Sequence, residues 1–222
     1  MDIAAAVAAF RVRVDAATAA HGRPAGSVRI LGVTKTQTRD AVLAAISAGL
    51  TDVGENYVQE AREKYRDLPA GIHTHFIGHV QTNKAKLIAG LFDVVQSIDR
   101  LEAGLAVAKA ARALGKTPRV LIQVNISPTE RFGAPSGEAQ ALAQRLRDEG
   151  VEVDGVMAIG PVDGNVDAAF GVARATYERV GGSTLSLGMS DDWERAIGYG
   201  STMIRIGSAI FGPRPAREGA VA

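Results

Sequence analysis

The sequence predicts an α/β fold, one (β/α)8 TIM barrel with an extra N-terminal helix. Strand-like and helix-like segments alternate along the chain, eight of the segments are strand-like, and no long linker interrupts them. Strict alternation favours parallel strands, and closing eight of them into a barrel leaves no exposed edge. The alternative is an open doubly wound sheet, but the chain has neither a G-x-G-x-x-G nor a P-loop motif. We expect residues 1–222 to form a single domain, because single barrels commonly reach this length.

The elements follow in order from local patterns. An Ala-rich amphipathic stretch at the start of the chain predicts the extra helix. Short apolar runs rich in β-branched residues predict strands at 28–34, 52–56, 73–78, 92–98, 119–126, 153–159, 184–187 and 203–206. Helices are predicted at 38–48, 57–67, 81–89, 99–114, 136–148, 166–180 and between 190 and 200. In the first of these, Thr38 is the expected N-cap and Gly49 the stop.

Composition excludes several classes of function. Lys plus Arg number 25 against 24 acidic residues, so no basic excess points to nucleic acid. Cysteine is absent, which excludes disulfides and thiolate metal sites and leads us to expect a cytoplasmic protein. No run approaches the roughly 20 apolar residues of a membrane helix, so we expect no membrane partner. A closed barrel needs no partner subunit, and we expect a monomer.

Three histidines on one predicted strand do not suggest a metal site. His73, His75 and His79 alternate and so share a face, but they would span about 20 Å, too far for one ion. We expect them to be packing or rim residues. The polar segment 81–84 is read as a helix start.

Polar residues at the predicted strand ends indicate where a ligand would bind, because the active face of such a barrel lies at the carboxyl ends of its strands. Lys35 and Asn56 end the first two strands, and Arg205 lies within the last. The turns 188–190 and 207–208 follow the last two strands, and their backbone N–H groups are expected to face the same side and attract an anion.

Lys35 is the predicted reactive group. Partial burial at the barrel mouth would lower the pKa of its amine and free it to form a Schiff base with a carbonyl compound. Arg205, a charge inside an apolar strand, predicts either a ligand contact or a buried ion pair. Pyridoxal 5'-phosphate (PLP) would supply an aldehyde for the lysine, a phosphate for the turns and a ring nitrogen for the guanidinium. Because guanidinium keeps its proton, the ring would be a weak electron sink.

These residues lie within motifs that resemble a known family. The segments GVTKTQT, VGENYVQEAREK, HFIGHVQTNKAK and LSLGMSDDWERAIGYGSTMIRIGSAIFGPR are similar to the YggS/PROSC family of PLP homeostasis proteins, and matching segments run over 31–214. The resemblance implies a barrel like the N-terminal domain of alanine racemase, with PLP held as a lysine aldimine. The cofactor-binding residues that it implies are Lys35, Asn56, Met189, Ser190, Arg205, Gly207 and Ser208.

The resemblance also bears on whether the chain is an enzyme. Racemases of the related fold carry a second domain whose tyrosine acts as the opposite base, whereas here eight residues follow Arg214 and no tyrosine follows Tyr199. We therefore expect a PLP carrier in vitamin B6 homeostasis that supplies PLP-dependent apo-enzymes and acts indirectly on amino-acid metabolism. Two alternatives stay open, a PLP-dependent enzyme such as an amino-acid racemase and a cofactor-free, aldolase-like Schiff-base barrel.

Overall fold

The strands form one parallel sheet that closes on itself. The structure, a computed structural model, describes residues 1–117, 119–129, 131–161 and 165–213. Within these ranges the strands are β1 (Arg29–Val33), β2 (Asp52–Glu55), β3 (His73–Phe76), β4 (Val94–Ile98), β5 (Arg119–Asn125), β6 (Ala134–Pro135), β7 (Glu152–Ala158), β8 (Thr184–Ser186) and β9 (Met203–Ile206). Their order is β4-β3-β2-β1-β9-β8-β7-β5-β6, and β4 also pairs with β5. That last pairing closes eight strands into a barrel, to which the two-residue β6 is an addition.

Helices cover the outside of the barrel. In the described ranges they are α1 (Ile3–Ala20), α2 (Arg39–Ser47), α3 (Val58–Lys64), α4 (Ala85–Leu91), α5 (Leu101–Arg112), α6 (Ala139–Asp148), α7 (Val166–Val180), α8 (Trp193–Gly198) and α9 (Ser208–Phe211). The extra helix α1 packs on α2, α8 and α9. It does so because Val7, Phe10 and Val14 recur at helical spacing and are buried on one face. None of these helices is long and apolar enough to cross a membrane.

The predicted barrel, its eight strands in order and its N-terminal helix are confirmed. Local details differ. The predicted helix at 81–89 begins as a 3-10 turn, Thr82–Lys84, before α4. Helix α3 ends at Lys64, three residues before the predicted end. Strand β6 was not predicted, because two residues carry no detectable periodicity.

The strands are buried on both faces, one against the helices and one inside the barrel. Every residue of β2, β4, β8 and β9 is buried. This explains why the strands read as continuous apolar runs rather than as alternating patterns. The buried set nevertheless contains charged and polar side chains, among them Asp52, His75, Gln96 and Arg205. Buried polar groups require hydrogen-bond partners, and the partners found here define the site described next.

Candidate functional site

A cavity of about 280 Å³ opens at the carboxyl ends of β1 and β9. The two strands are neighbours, with Leu31 opposite Arg205, so the residues that follow them come together. Six of the seven residues predicted to bind the cofactor line this cavity: Lys35, Met189, Ser190, Arg205, Gly207 and Ser208. The seventh, Asn56, lies at a neighbouring cavity. The chemistry of the small cavity therefore follows from how each of these groups is held.

Lys35 is half-buried in the turn that follows β1, two residues beyond the strand end. The next residue, Thr36, has φ of 64°, in the left-handed region that β-branched residues rarely adopt. Such a conformation costs about 1–3 kcal/mol and persists only where the surroundings enforce it. Here the backbone N–H of Thr36 donates a hydrogen bond of 2.8 Å to Glu60 Oε2. The turn that carries Lys35 is thus held in one shape by helix α3.

A buried charged network lies behind this turn. The Nζ of Lys64 donates to the backbone oxygen of Thr34 at 2.7 Å and to Glu55 Oε2 at 2.9 Å. The Thr34 hydroxyl in turn lies 2.8 Å from the Tyr65 hydroxyl. Burial raises the pKa of Glu55 above its ordinary value, although the hydrogen bond from Lys64 opposes the change. The ammonium of Lys64 is therefore committed to holding the ends of β1 and β2, and Lys35 is the lysine that lines the cavity.

Arg205 is a buried cation at the cavity floor, only 4% exposed. Its Nη1 donates to the backbone oxygen of Ser186 at 2.7 Å and to Ser186 Oγ at 2.9 Å, and its Nη2 donates to Ala158 O at 2.7 Å. Burial lowers the pKa of Arg205 to about 10, so the guanidinium remains charged at neutral pH. In the described part of the chain no carboxylate lies within ion-pair distance of it. The three bonds occupy three of its five N–H groups and leave donors for a ligand.

The two predicted anion-binding turns meet at this cavity. The hydroxyl of Ser208 donates to the hydroxyl of Ser190 at 3.2 Å. Ser208 begins α9, so the first backbone N–H groups of that helix have no partner within it. One expectation is corrected, because the N–H of Met189 is not free and donates to Asp192 Oδ1 at 2.6 Å. An anion would therefore be held mainly by the two serines and the turn at 207–208.

Gly207 leaves space that the protein itself does not fill. Its φ is −111°, outside the left-handed region. A Cβ built on it would approach only Val33, at 3.7 Å from the backbone oxygen and 3.8 Å from Cβ, which are ordinary contacts. Val33 and Gly207 both line the cavity. Neither backbone strain nor packing requires glycine here, and a bound group that approaches the backbone would supply the reason.

Asn56 lines a second, wider cavity of about 830 Å³. Its Oδ1 is buried and has no hydrogen-bond partner among the described residues. The structure thus places Asn56 at the neighbouring strand end, next to β1, but not in the lining of the cavity with Lys35.

The three histidines do not form a cluster. His75 is buried and His73 is exposed, whereas His79 lies beyond β3 and stacks on Phe132 at a ring-centroid distance of 4.2 Å.

Two residues that hold the site were not predicted. Lys64 and Glu60 stand four positions apart on α3, a spacing that is typical of an exposed pair on a helix surface. Lys64 is nevertheless buried. The left-handed conformation of Thr36 has no sequence signal either, since glycine or asparagine would be the usual residue.

Comparison with known proteins identifies the family. The family model described as "Alanine racemase, N-terminal domain" matches residues 7–215. Curated proteins named "Pyridoxal phosphate homeostasis protein" are similar over nearly their whole length. That of Escherichia coli K12 is 39% identical over 227 residues, covering 96% of this chain and 97% of that protein. That of Pseudomonas aeruginosa is 40% identical over 224 residues, covering 96% of each. The chain belongs to the pyridoxal phosphate homeostasis protein family.

A solved structure is similar to this chain along nearly its whole length. PipY of Synechococcus elongatus PCC7942, in a structure described as having PLP bound, superposes with a TM-score of 0.80. It is 29% identical to this chain, and the match covers 95% of this chain and 100% of PipY. The sequence resemblance to the PLP homeostasis proteins is thereby confirmed, and so is the racemase-type barrel.

Proposed function

We propose that this chain binds PLP in the cavity at the ends of β1 and β9 and serves PLP homeostasis. The observation that carries the proposal is that a half-buried lysine, a buried arginine and two serine turns line one cavity of about 280 Å³. Small-molecule sites are of about this size or larger and combine a few convergent polar groups. The names of the curated relatives and the PLP-bound PipY structure support the same ligand.

The lining residues fit the parts of PLP. Ser190, Ser208 and the space left by Gly207 suit the phosphate, and Arg205 suits the ring nitrogen. The unpartnered Oδ1 of Asn56, at the neighbouring strand end, is a buried acceptor that a donor on the ligand would satisfy. When bound, PLP supplies a reversible carbonyl chemistry through its aldehyde.

We propose that Lys35 holds PLP covalently. Lys35 would hold the cofactor through its amine, and PLP would supply an aldehyde with which an amine condenses reversibly with loss of water. The strained turn at Thr36, held by Glu60, would keep the backbone of Lys35 at the cavity. Such a bond is reversible, which a protein that stores and releases its ligand requires.

Arg205 argues for holding PLP rather than for turnover. Its pKa of about 10 keeps the guanidinium charged at neutral pH, so it donates a hydrogen bond to the ring nitrogen and does not transfer a proton. A ring nitrogen without a proton withdraws electrons weakly, which disfavours carbanion chemistry on a bound amino acid. We therefore propose a carrier that supplies PLP-dependent apo-enzymes. We also propose that it acts as a single-domain monomer, since a closed barrel needs no partner subunit.

Absorption spectroscopy tests the proposal. The purified protein, loaded with PLP, is expected to show a visible band that borohydride abolishes, and peptide mass analysis should place the reduced PLP on Lys35. The Lys35→Ala variant should lack the band. The matched control is Lys86→Ala, which removes an exposed lysine on α4 and should leave the band unchanged.

The result against the proposal is a wild-type protein without the band, or a band that persists in Lys35→Ala. Incubation of the loaded protein with alanine or serine, followed by chiral analysis, separates a carrier from an enzyme. More than one equivalent of racemised product per protein would favour the enzyme.

A further inference from the structure

A continuous chain of hydrogen bonds runs through the barrel interior from Arg205 to Asp52. Arg205 Nη1 lies 2.9 Å from Ser186 Oγ, and that hydroxyl lies 2.7 Å from Gln96 Oε1. The amide nitrogen of Gln96 lies 2.9 Å from His75 Nδ1, and His75 Nε2 lies 3.0 Å from Asp52 Oδ1. All five side chains are buried, and they come from five different strands. This hydrogen-bond chain connects Arg205, at the cavity, to Asp52, at the amino-terminal end of β2.

With the amide oxygen of Gln96 facing Ser186, the direction of each remaining bond in this hydrogen-bond chain follows from its ends. A guanidinium can only donate, so the Ser186 hydroxyl accepts from Arg205 and gives its own proton to Gln96 Oε1. The Gln96 amide group then donates to His75 Nδ1, and its second hydrogen points to Met203 Sδ at 3.2 Å. His75 is therefore neutral with its proton on Nε2, which it donates to Asp52.

The far end of the chain is an anion. Asp52 also accepts a hydrogen bond from Thr51 at 2.9 Å and faces Arg29, whose Nη1 lies 3.3 Å away. Burial lowers the pKa of His75, in agreement with a neutral imidazole. Burial by itself would raise the pKa of Asp52, but the bond from His75 and the charge of Arg29 outweigh it and the pKa is lowered. The chain thus joins a cation to an anion through three neutral side chains.

The alignment has a physical consequence for Arg205. Each donor points away from the arginine, so the negative end of every hydrogen-bond dipole faces it. Aligned bonds in a buried, low-dielectric environment reinforce one another. Together with the charge of Asp192, they offset part of the cost of burying a guanidinium that has no carboxylate within ion-pair distance among the described residues, and they fix its plane through Ser186.

We propose that Ser186, Gln96 and His75 are positioning residues that hold the Arg205 guanidinium in the orientation that binds the PLP ring. The proposal rests on the proposed function, since it assigns Arg205 to the ring. Gln96 and His75 act at a distance, because neither contacts Arg205 or lines the cavity. Filling the barrel interior is the other role open to them, and it would affect stability alone.

Two buried side chains provide a matched pair of variants. Gln96→Met keeps the approximate volume and removes the central donor and acceptor of the chain. Ser201→Ala is the control, because Ser201 is equally buried but its hydroxyl bonds only to backbone oxygens, such as that of Leu187 at 2.7 Å. If Gln96→Met fails to fold, Ser186→Ala replaces it, since it removes the link and leaves the backbone contact to Arg205.

The first measurement is made on the protein without PLP. The Nη–H signals of Arg205, assigned in NMR spectra by their loss in Arg205→Lys, are expected to exchange slowly in the wild type and in Ser201→Ala. In Gln96→Met they should broaden or exchange faster. Unchanged signals in folded Gln96→Met would overturn the proposal.

The second measurement is a double-mutant cycle on the dissociation constant of PLP. Gln96→Met is expected to weaken binding about tenfold, which lies within the range of coupling in one hydrogen-bond network. In the Arg205→Lys background the same change should add less than about twofold, because the group on which it acts is gone. Equal losses in both backgrounds would overturn the proposal. A wild-type protein that binds no PLP would refute the proposed function instead. The NMR comparison would still decide whether the hydrogen-bond chain holds the Arg205 guanidinium.

Discussion

Gly207→Ala separates ligand binding from folding at the proposed phosphate turn. The new Cβ would meet only Val33, at 3.7 and 3.8 Å, and φ of −111° requires no left-handed conformation. A glycine-to-alanine change at a compatible position reduces the entropy of the unfolded chain and stabilises by about 0.4–1 kcal/mol. The ψ of −76° lies at the edge of the helical region, so part of this gain is lost. We expect the free energy of unfolding to change by less than about 1 kcal/mol.

The same methyl group occupies space at the cavity wall that we assign to the phosphate. Overpacking of one methyl group costs typically about 1–3 kcal/mol, which corresponds to about 5- to 150-fold weaker binding of PLP. Fluorescence or absorbance titration with PLP gives the dissociation constant, and urea unfolding gives the stability. Gly137→Ala is the control, because its Cβ would meet nothing within 4 Å and the residue does not line the cavity. A stable Gly207→Ala protein that binds PLP as tightly as the wild type would refute the assignment of this space to the ligand.

Three further predictions concern the buried polar groups and a close backbone contact. Lys64→Met should lower the free energy of unfolding by about 3–5 kcal/mol at neutral pH, because it leaves the Glu55 carboxylate buried without its cation. Urea unfolding should show a smaller loss in acid, because Glu55 takes up a proton there and is no longer charged. Burial lowers the pKa of His75 below 6.5, its ordinary value. Just below pH 6.5 the unfolded protein therefore binds more protons than the folded protein. The free energy of unfolding should then rise with pH by up to about 1.4 kcal/mol per pH unit. His75→Gln should lack this contribution in urea unfolding measured from pH 5 to 7. Gly78→Ala should fail to fold or lose several degrees in thermal unfolding, because its Cβ would lie within 3 Å of the Asn56 backbone.

The convergence of Lys35 and Gly207 could be predicted because it depends on topology alone. Once strand-like and helix-like segments alternate eight times, parallel strands bring their carboxyl ends to one face. The first and last strands are then adjacent where the barrel closes, so the residues after β1 and β9 meet even though about 170 positions separate them in the chain. The spacing of side chains within that face does not follow from topology. For this reason Asn56, although it directly follows the adjacent strand β2, lines the wider cavity instead.

The buried polar chain could not be predicted for a different reason. Gln96 stands in the run Val-Val-Gln-Ser-Ile, where an amide inside an all-buried strand signals that some partner exists. The identity of the partner depends on which side chains from other strands face the same level of the barrel, and that is set by the register between strands. The register places His75, of the neighbouring strand β3, on one side of Gln96, and closure of the barrel brings Ser186, of the non-adjacent strand β8, to its other side. Sequence spacing carries no information on such contacts. The side chains that hold Arg205 can therefore be identified only from the structure of the closed barrel.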